Sequence, residues 1–400
     1  MPLSHEKTTK IASILLCISS VTGCDYLEKD QLETQNTKKT GTVLETNIED
    51  DIVIPVMINN KKLNFLVDTG SSVTVIDEKI ANSITRPLLS SEIPQNYRQE
   101  FSNVTTVSGR LEGHQFTLLK PTAFTVGTKE INDSDIWVSL DLSLVTQSMG
   151  TKIDGIIGID TFRRFNWKVD NDKKKVIISD TLPSASDYQA CTGYDDSYNR
   201  MPQLWFKYKN NDVAFRMDTG ADHSFVSNEF INYVKENKLS LELLSSNEPM
   251  AEAGGLVKST QYILQDFIFN GLPLNKMEFS DNQEGKFHVG MDFLSRFKRY
   301  TFIPSRMMFC YDADSIEKNS IPHERSIAIR YMDGNIEVFY NNNEEIQKYG
   351  LKNGDRILTI NNTRYSPEKI KTVRKLLTQE PKGTLALTIQ RENQVMDIML

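Results

Sequence analysis

Cysteine is scarce, with four in 400 residues, and none of them form the CxxC pair of a zinc or redox centre. Histidine is hardly more frequent, at five, and no HExxH is present to suggest a metalloprotease helix. A P-loop and a GxSxG segment are missing too, so phosphate cradling and elbow-type serine chemistry lack their usual carriers. Basic density is equally absent. The net charge is −7, and the only dense cationic run, Lys173-Lys174-Lys175, lies between two strand-like segments and reads as a solvated hairpin turn. Nothing here offers a surface to nucleic-acid phosphates. No stretch is apolar for long enough to span a bilayer as a helix, and no heptad pattern indicates a coiled coil. The length allows two or three domains, each with material for its own core.

The first residues read as a targeting segment. Lys7 and Lys10 precede a mostly apolar stretch from Ile11 to Val21, too short for a membrane span and suited to a signal-peptide core. It ends in Val21-Thr22-Gly23-Cys24, which resembles the bacterial lipobox. That resemblance implies a lipoprotein signal over residues 1–23, lipidation of Cys24 and a membrane anchor through the lipid; an ordinary secretory signal with an incidental Cys is the alternative. Residues 24–45 are polar and read as a flexible tether. Asp25 directly after the Cys resembles an inner-membrane retention signal, so the expected location is the periplasmic side of the cell envelope. Cys17 then leaves with the signal, and the mature body keeps Cys191 and Cys310. In a compartment that permits disulfides these either bridge the lead-in of the second half to its last strand or remain two buried thiols.

What is present is one tripeptide used twice. Asp68-Thr69-Gly70 closes the run Leu63 to Val67, and Asp218-Thr219-Gly220 closes Val213 to Met217. Each is fed by a β-hairpin pattern: Asp51 to Ile58 with a turn at Asn59–Lys62, and Gln203 to Tyr208 with a turn at Lys209–Asp212. Pro55 suggests that the first of these strands is an edge. The Gly permits a tight reversal. Small residues follow, Ser71-Ser72 and Ala221, then a short apolar run and a helix start at Asp77 and at Ser227-Asn228. The repeat continues downstream, where Gly158-Ile-Asp160-Thr-Phe162-Arg-Arg164-Phe165 matches Gly290-Met-Asp292-Phe-Leu294-Ser-Arg296-Phe297. Asp160 and Asp292 read as N-caps of short helices.

These segments resemble the aspartic proteases, DTGSS the first active-site segment of pepsin-type enzymes and DTGAD the retroviral type. The resemblance implies a mainly β protein: two pseudo-twofold-related retropepsin-like lobes (acid-protease fold), at residues 46–182 and 203–313, joined by a linker over 183–202. It also implies an aspartic endopeptidase acting on a polypeptide substrate, without cofactor or metal, as a monomeric catalytic unit. Asp68 and Asp218 would be the catalytic pair, supported by Thr69, Gly70, Ser71, Thr219, Gly220 and Ala221, with the two threonines bonding across to the opposite strands. Two carboxyls about 3 Å apart cannot both ionise and so share a proton. Ser71 could donate to an ionised Asp68 whereas Ala221 has no donor, so Asp68 is the expected charged member. Covering hairpins are expected at Val107–Gly113 and Ala253–Leu256; neither holds the flap tyrosine of pepsins, which favours retropepsin-style flaps.

Two residues, Arg216 and His288, depart from that family's pattern. Arg216 stands where an apolar residue is usual and should point away from Phe215 and Met217. His288, before Val289-Gly290, reads as a satisfied core histidine or else as a residue that perturbs the second lobe, and His223 as a loop histidine with no second ligand at metal spacing. Beyond a break near Asp312–Pro322, Tyr349-Gly350-Leu351-Lys352-Asn353-Gly354-Asp355-Arg356-Ile357 resembles the PDZ family. This implies a small α+β domain over 323–400, with a helix at Pro367–Thr378 and a last strand at Gly383–Arg391. Such a domain could take a C-terminal or strand peptide at a sheet edge, or serve only in packing. A competing reading of the whole chain is a non-catalytic peptide-binding scaffold that retains the protease fold.

Overall fold

Alternating apolar residues build the two hairpins that organise the molecule. In Val53–Ile58 the residues Ile54, Val56 and Ile58 are buried, and in Lys61–Val67 so are Leu63, Phe65 and Val67. The computed structural model describes residues 41–100, 105–106, 109–110, 115–132, 135–197, 201–252, 255–282, 285–316 and 323–400. The expected signal segment, Cys24, Asp25, most of Val107–Gly113, and Ala253 and Gly254 lie outside the described residues. Asn59 and Asn60 both take left-handed φ, 48° and 61°, which is the two-residue turn that asparagine tolerates and that matches strand twist. The hairpin Gln203–Tyr208/Asn211–Met217 repeats the plan, with Lys209 at φ 54°.

The protein is mainly β. The first hairpin lies within an eight-stranded sheet and the second within a nine-stranded one. A six-stranded sheet joins the halves, in the order Thr42–Asn47, Lys175–Ser179, Asn166–Asp170, Arg299–Ile303, Met308–Asp312, Ala190–Gly193. Its central pairing, Trp167 to Asp170 against Phe302 to Arg299, fixes one lobe against the other by backbone hydrogen bonds rather than by side chains alone. Trp167, Tyr300, Phe302 and Phe309 are fully buried around this seam, with Phe162 stacked on Trp167 at 5.1 Å between ring centroids.

Several boundaries differ from the sequence reading, each for an identifiable reason. The polar stretch up to residue 45 already enters a strand at Thr42, because Leu44 to Asn47 pair with Ile178 to Lys175. The linker reading of 183–202 includes the strand Ala190–Gly193, which completes the six-stranded sheet. Pro55 is not on an edge strand. Its strand lies between two others, but Phe124–Val126 pairs only with Val56 and Met57, so the missing N–H of Pro55 falls just past the ladder.

The C-terminal module has its own five-stranded sheet, Ile329–Met332, Asn335–Val338, Arg356–Ile360, Ala386–Arg391 and Gln394–Met399. The helix Ile370–Gln379 follows a 3₁₀ turn at Pro367–Lys369. The strand expected to be last is therefore followed by another, across a turn with Glu392 at φ 54°. Its core of Ile329, Val338, Leu351, Val373, Leu377 and Ile389 among others is distinct from that of the lobes. Buried Asp355 is held by a two-pronged pair with Arg391, at 2.7 Å on each oxygen. The edge strand Ile329–Met332 packs against the first-lobe helix Ser143–Met149, and Tyr340 donates to Gln147 across that junction at 2.6 Å. No helix among the described residues is long and apolar enough to cross a membrane.

Cys191 and Cys310 form a disulfide between directly opposed strands, closing a separation of 119 residues. Loop closure of that size restricts the unfolded chain strongly. Replacing both by serine should lower unfolding stability by about 2–5 kcal/mol, read from denaturant titrations of the two proteins.

Candidate active site

Each aspartate leaves its strand at a position fixed by a neighbouring strand running parallel to it. Asp68 N donates to Ile157 O at 2.9 Å and Asp218 N to Val289 O at 3.0 Å. Beyond each tripeptide the chain turns back under the following Gly segment. Ile159 N donates to Ser71 O at 2.9 Å and Met291 N to Ala221 O at 2.8 Å. The small residues after the DTG thus serve through their carbonyls. Helices start at Asp77, whose side chain accepts from Lys79 N, and at Ser227, which accepts from Phe230 N, both ordinary N-cap geometry.

The two tripeptides meet. Asp68 and Asp218 are hydrogen-bonded to each other through their carboxyls. Gly70 N donates to Asp68 Oδ1 at 2.7 Å and Gly220 N to Asp218 Oδ1 at 3.1 Å. A side chain at either glycine would strike the opposite carboxyl: a Cβ on Gly70 would lie 2.7 Å from Asp218 Cγ, and one on Gly220 2.4 Å from Asp68 Cγ. Close approach, rather than a tight reversal, is what requires glycine, since neither residue takes positive φ. Beneath them Thr69 and Thr219 are fully buried and bonded reciprocally. Each backbone N donates to the other's Oγ1 at 3.1 Å, while Thr69 Oγ1 donates to Met217 O at 2.6 Å and Thr219 Oγ1 to Val67 O at 2.7 Å. Both amides and both hydroxyls of this floor are used, so it is rigid.

Asp160 and Asp292 lie two positions further along than an N-cap. The caps are Gly158 and Gly290, and the acids sit in the first helical turn. The glycines are there because a Cβ would come within 2.4 Å of Val73 O and 2.6 Å of Ala221 O. Asp292 accepts from Ser224 Oγ at 2.8 Å, which ties that turn to the second DTG loop.

His288 corrects the reading most. It is no core histidine satisfied elsewhere: its Nδ1 lies 3.1 Å from Asp218 Oδ2, and both side chains are under a tenth exposed. Its Nε2 is buried without a hydrogen-bond partner, so the ring's polar engagement is with the dyad. Ser71, the donor expected for Asp68, instead turns its Oγ to Val73 O at 2.8 Å. The expected charge assignment therefore reverses. Burial pushes Asp68 up, the Asp218 charge pushes it further, and the two together hold its carboxyl well above the usual range. Burial also opposes ionisation of Asp218, but the hydrogen bond and charge of His288 outweigh it and hold that carboxyl low. These opposite shifts favour Asp218 as the ionised member of the pair and Asp68 as the one that holds the shared proton.

The long hairpin Leu241–Glu252/Gly255–Leu264 ends the nine-stranded sheet of the second lobe, and Thr105–Thr106 pairs with Gly109–Arg110 as a two-stranded sheet of its own. A cavity of about 430 Å³ lies between the former hairpin, through Met250 and Leu256, the Asp222-His223 loop and the C-terminal module. His223 lines it. Arg216 is half-buried between buried Phe215 and Met217, on the opposite strand face. Among the described residues, no group of three or more His, Cys, Asp and Glu side chains could hold a metal ion.

Residues 54–161 match the model of a family described as aspartyl protease. The match contains Asp68 and its supporting Gly158 and supports protease activity in general. It stops well before Asp218, for which the internal repeat and the shared floor supply the equivalence. No curated protein matches the chain.

The reversed assignment has a measurable consequence. Asp218 is depressed by His288, so its charged form is retained as pH falls, and removing the imidazole must raise it. His288→Leu should move the lower titration step of the dyad, and the acid limb of any pH–rate profile, to higher pH. His288→Gln, which keeps a hydrogen-bonding side chain at the site, should fall between. Carboxyl-detected NMR titration of the pair reads both.

Proposed function

We propose that the chain is a single-chain aspartic endopeptidase in which each lobe contributes one carboxyl. The observation that carries this is the hydrogen-bonded Asp68–Asp218 pair set on a reciprocally bonded threonine floor. In this reading a water sits between the carboxyls. Ionised Asp218 takes its proton as the oxygen attacks the scissile carbonyl, and protonated Asp68 donates to the carbonyl oxygen. As the tetrahedral intermediate collapses, a hydroxyl returns its proton to Asp68 while the C–N bond breaks, the amine leaves with the proton held by Asp218, and the pair is left with one shared proton. His288 stays outside the proton transfers and biases which carboxyl begins as base.

The active form is the singly protonated dyad. Its lower limit is depressed by His288 and its upper limit raised by burial and by the neighbouring charge. The working range is therefore wide and extends towards weakly acidic and neutral pH. Asp68→Asn and Asp218→Asn should each reduce cleavage of a mixed peptide library by about 10²–10⁴-fold, with a hydroxyl-bearing transition-state mimic blocking the wild type. A folded wild type that cleaves nothing and does not bind the mimic would favour the scaffold reading.

The cellular setting follows from the lipobox-like segment. In our reading Cys24 carries lipid and tethers the enzyme on the periplasmic side, a compartment compatible with the Cys191–Cys310 bridge. The C-terminal module is read as a PDZ-like domain. Radiolabelled palmitate should label the full chain and fail to label Cys24→Ala.

A further inference from the structure

One cation of the C-terminal module is buried against the catalytic lobes. Lys371 stands in the first turn of the helix Ile370–Gln379 with its ammonium enclosed between two carboxylates. Nζ lies 2.6 Å from Asp51 Oδ1 and also donates to Asp222 Oδ1. The Lys371 and Asp51 side chains are only 12% and 9% exposed.

The two acids come from different lobes, and each is attached to the backbone that holds one catalytic loop. Asp51 precedes Ile52, whose carbonyl accepts from Val67 N at 2.9 Å, one residue before Asp68. Asp222 lies two residues past Gly220, and its carbonyl accepts from Asp292 N at 3.2 Å. One ammonium thus bonds to the supports of both aspartates at once. Arg374, on the next turn, reinforces the second arm only, at 3.9 Å from Asp222 Oδ2.

We propose that Lys371 is a positioning residue for the dyad, and that through it the C-terminal module is an integral part of the catalytic unit rather than an appended domain. This rests on the protease reading above. The physical argument is that the same cation compensates buried Asp51 and partly buried Asp222, so moving the lobes apart takes the ammonium from one carboxylate or the other. Ionisation reflects the shared claim. Burial raises Asp51 to about 6 against the pull of Lys371, whereas the ammonium overcomes burial at Asp222 and holds it at about 2. A second pair at the same junction provides the contrast. Lys369 meets Glu49 where both side chains are nearly half exposed, and it touches neither loop; a pair of that kind contributes little.

The test uses the full chain and two readouts, turnover of a cleaved library peptide and carboxyl-detected NMR titration of Asp68 and Asp218. Lys371→Met should lower kcat at least about tenfold with a smaller change in KM, and should draw the two titration steps of the dyad together as the carboxyls separate. Lys371→Arg should recover most of both, and Lys369→Met should change neither. Should Lys371→Met not fold, the neutral triple variant Asp51→Asn/Lys371→Met/Asp222→Asn removes the unpaired charges, and its dyad should still titrate with converged steps. A folded Lys371→Met or triple variant with wild-type titration and turnover overturns the proposal. If the wild type cleaves no peptide, the protease reading fails by itself, and the titration arm still decides whether Lys371 holds the carboxyls together.

Discussion

Two carboxyls that repel each other when both are charged must be held in hydrogen-bond contact inside a protein, and the architecture of this chain is arranged around that constraint. Side chains alone could not do it, because a buried like-charged pair relaxes apart unless the backbones beneath it are fixed. Here they are fixed at three levels. The threonine floor ties the loops to each other, the parallel strands Gly155–Ile157 and His288–Val289 hold each loop from outside, and the six-stranded sheet locks the lobes. The glycines at 70 and 220 then let the carboxyls reach each other across the gap.

Given such a frame, a symmetric pair would share its proton evenly, and the side chains around the dyad are what break the balance. Position 288 is the clearest case. Its counterpart in the first lobe is Ile156, which is buried against Leu66 and Val75. A histidine in that place puts a hydrogen-bond donor against Asp218 and nothing comparable against Asp68. The two carboxyls are thereby made unequal, at the cost of a buried imidazole nitrogen with no partner of its own.

The parts of this arrangement that were legible in the sequence are those encoded by local pattern. Two alternating runs ending in DTG, followed by matching Gly-x-Asp segments, are enough to place the hairpins, the threonines and the close glycines. Strand Ala190–Gly193 was not legible, since four residues set among Ser, Asp and Gly carry no alternation and become a strand only through pairing with Met308–Asp312. Pro55 misled for a related reason. Its rule is about a missing N–H, and whether that matters depends on where the neighbouring strand ends. The Asp160 and Asp292 positions failed as N-caps because close approach of Val73 and Ala221 carbonyls had already claimed the cap for glycine.

The contacts that give the site its chemistry were invisible for a deeper reason. A duplicated sequence advertises what its two copies share, and in the structure the shared residues form the scaffold. The long-range polar contacts of His288 and Asp222 lie where the copies disagree. Ile156 became His288 and Ser72 became Asp222, and each altered residue found its partner far away in the chain, Asp218 in one case and Lys371 of another module in the other. Neither substitution satisfies a hydrophobic period or completes a motif, so pattern reading treats both as blemishes. Physically they are the expected places to look. A buried ionisable group that replaces an apolar or neutral one is expensive unless something nearby is charged, and in this protein the nearby charges are a dyad carboxylate and an ammonium from another module.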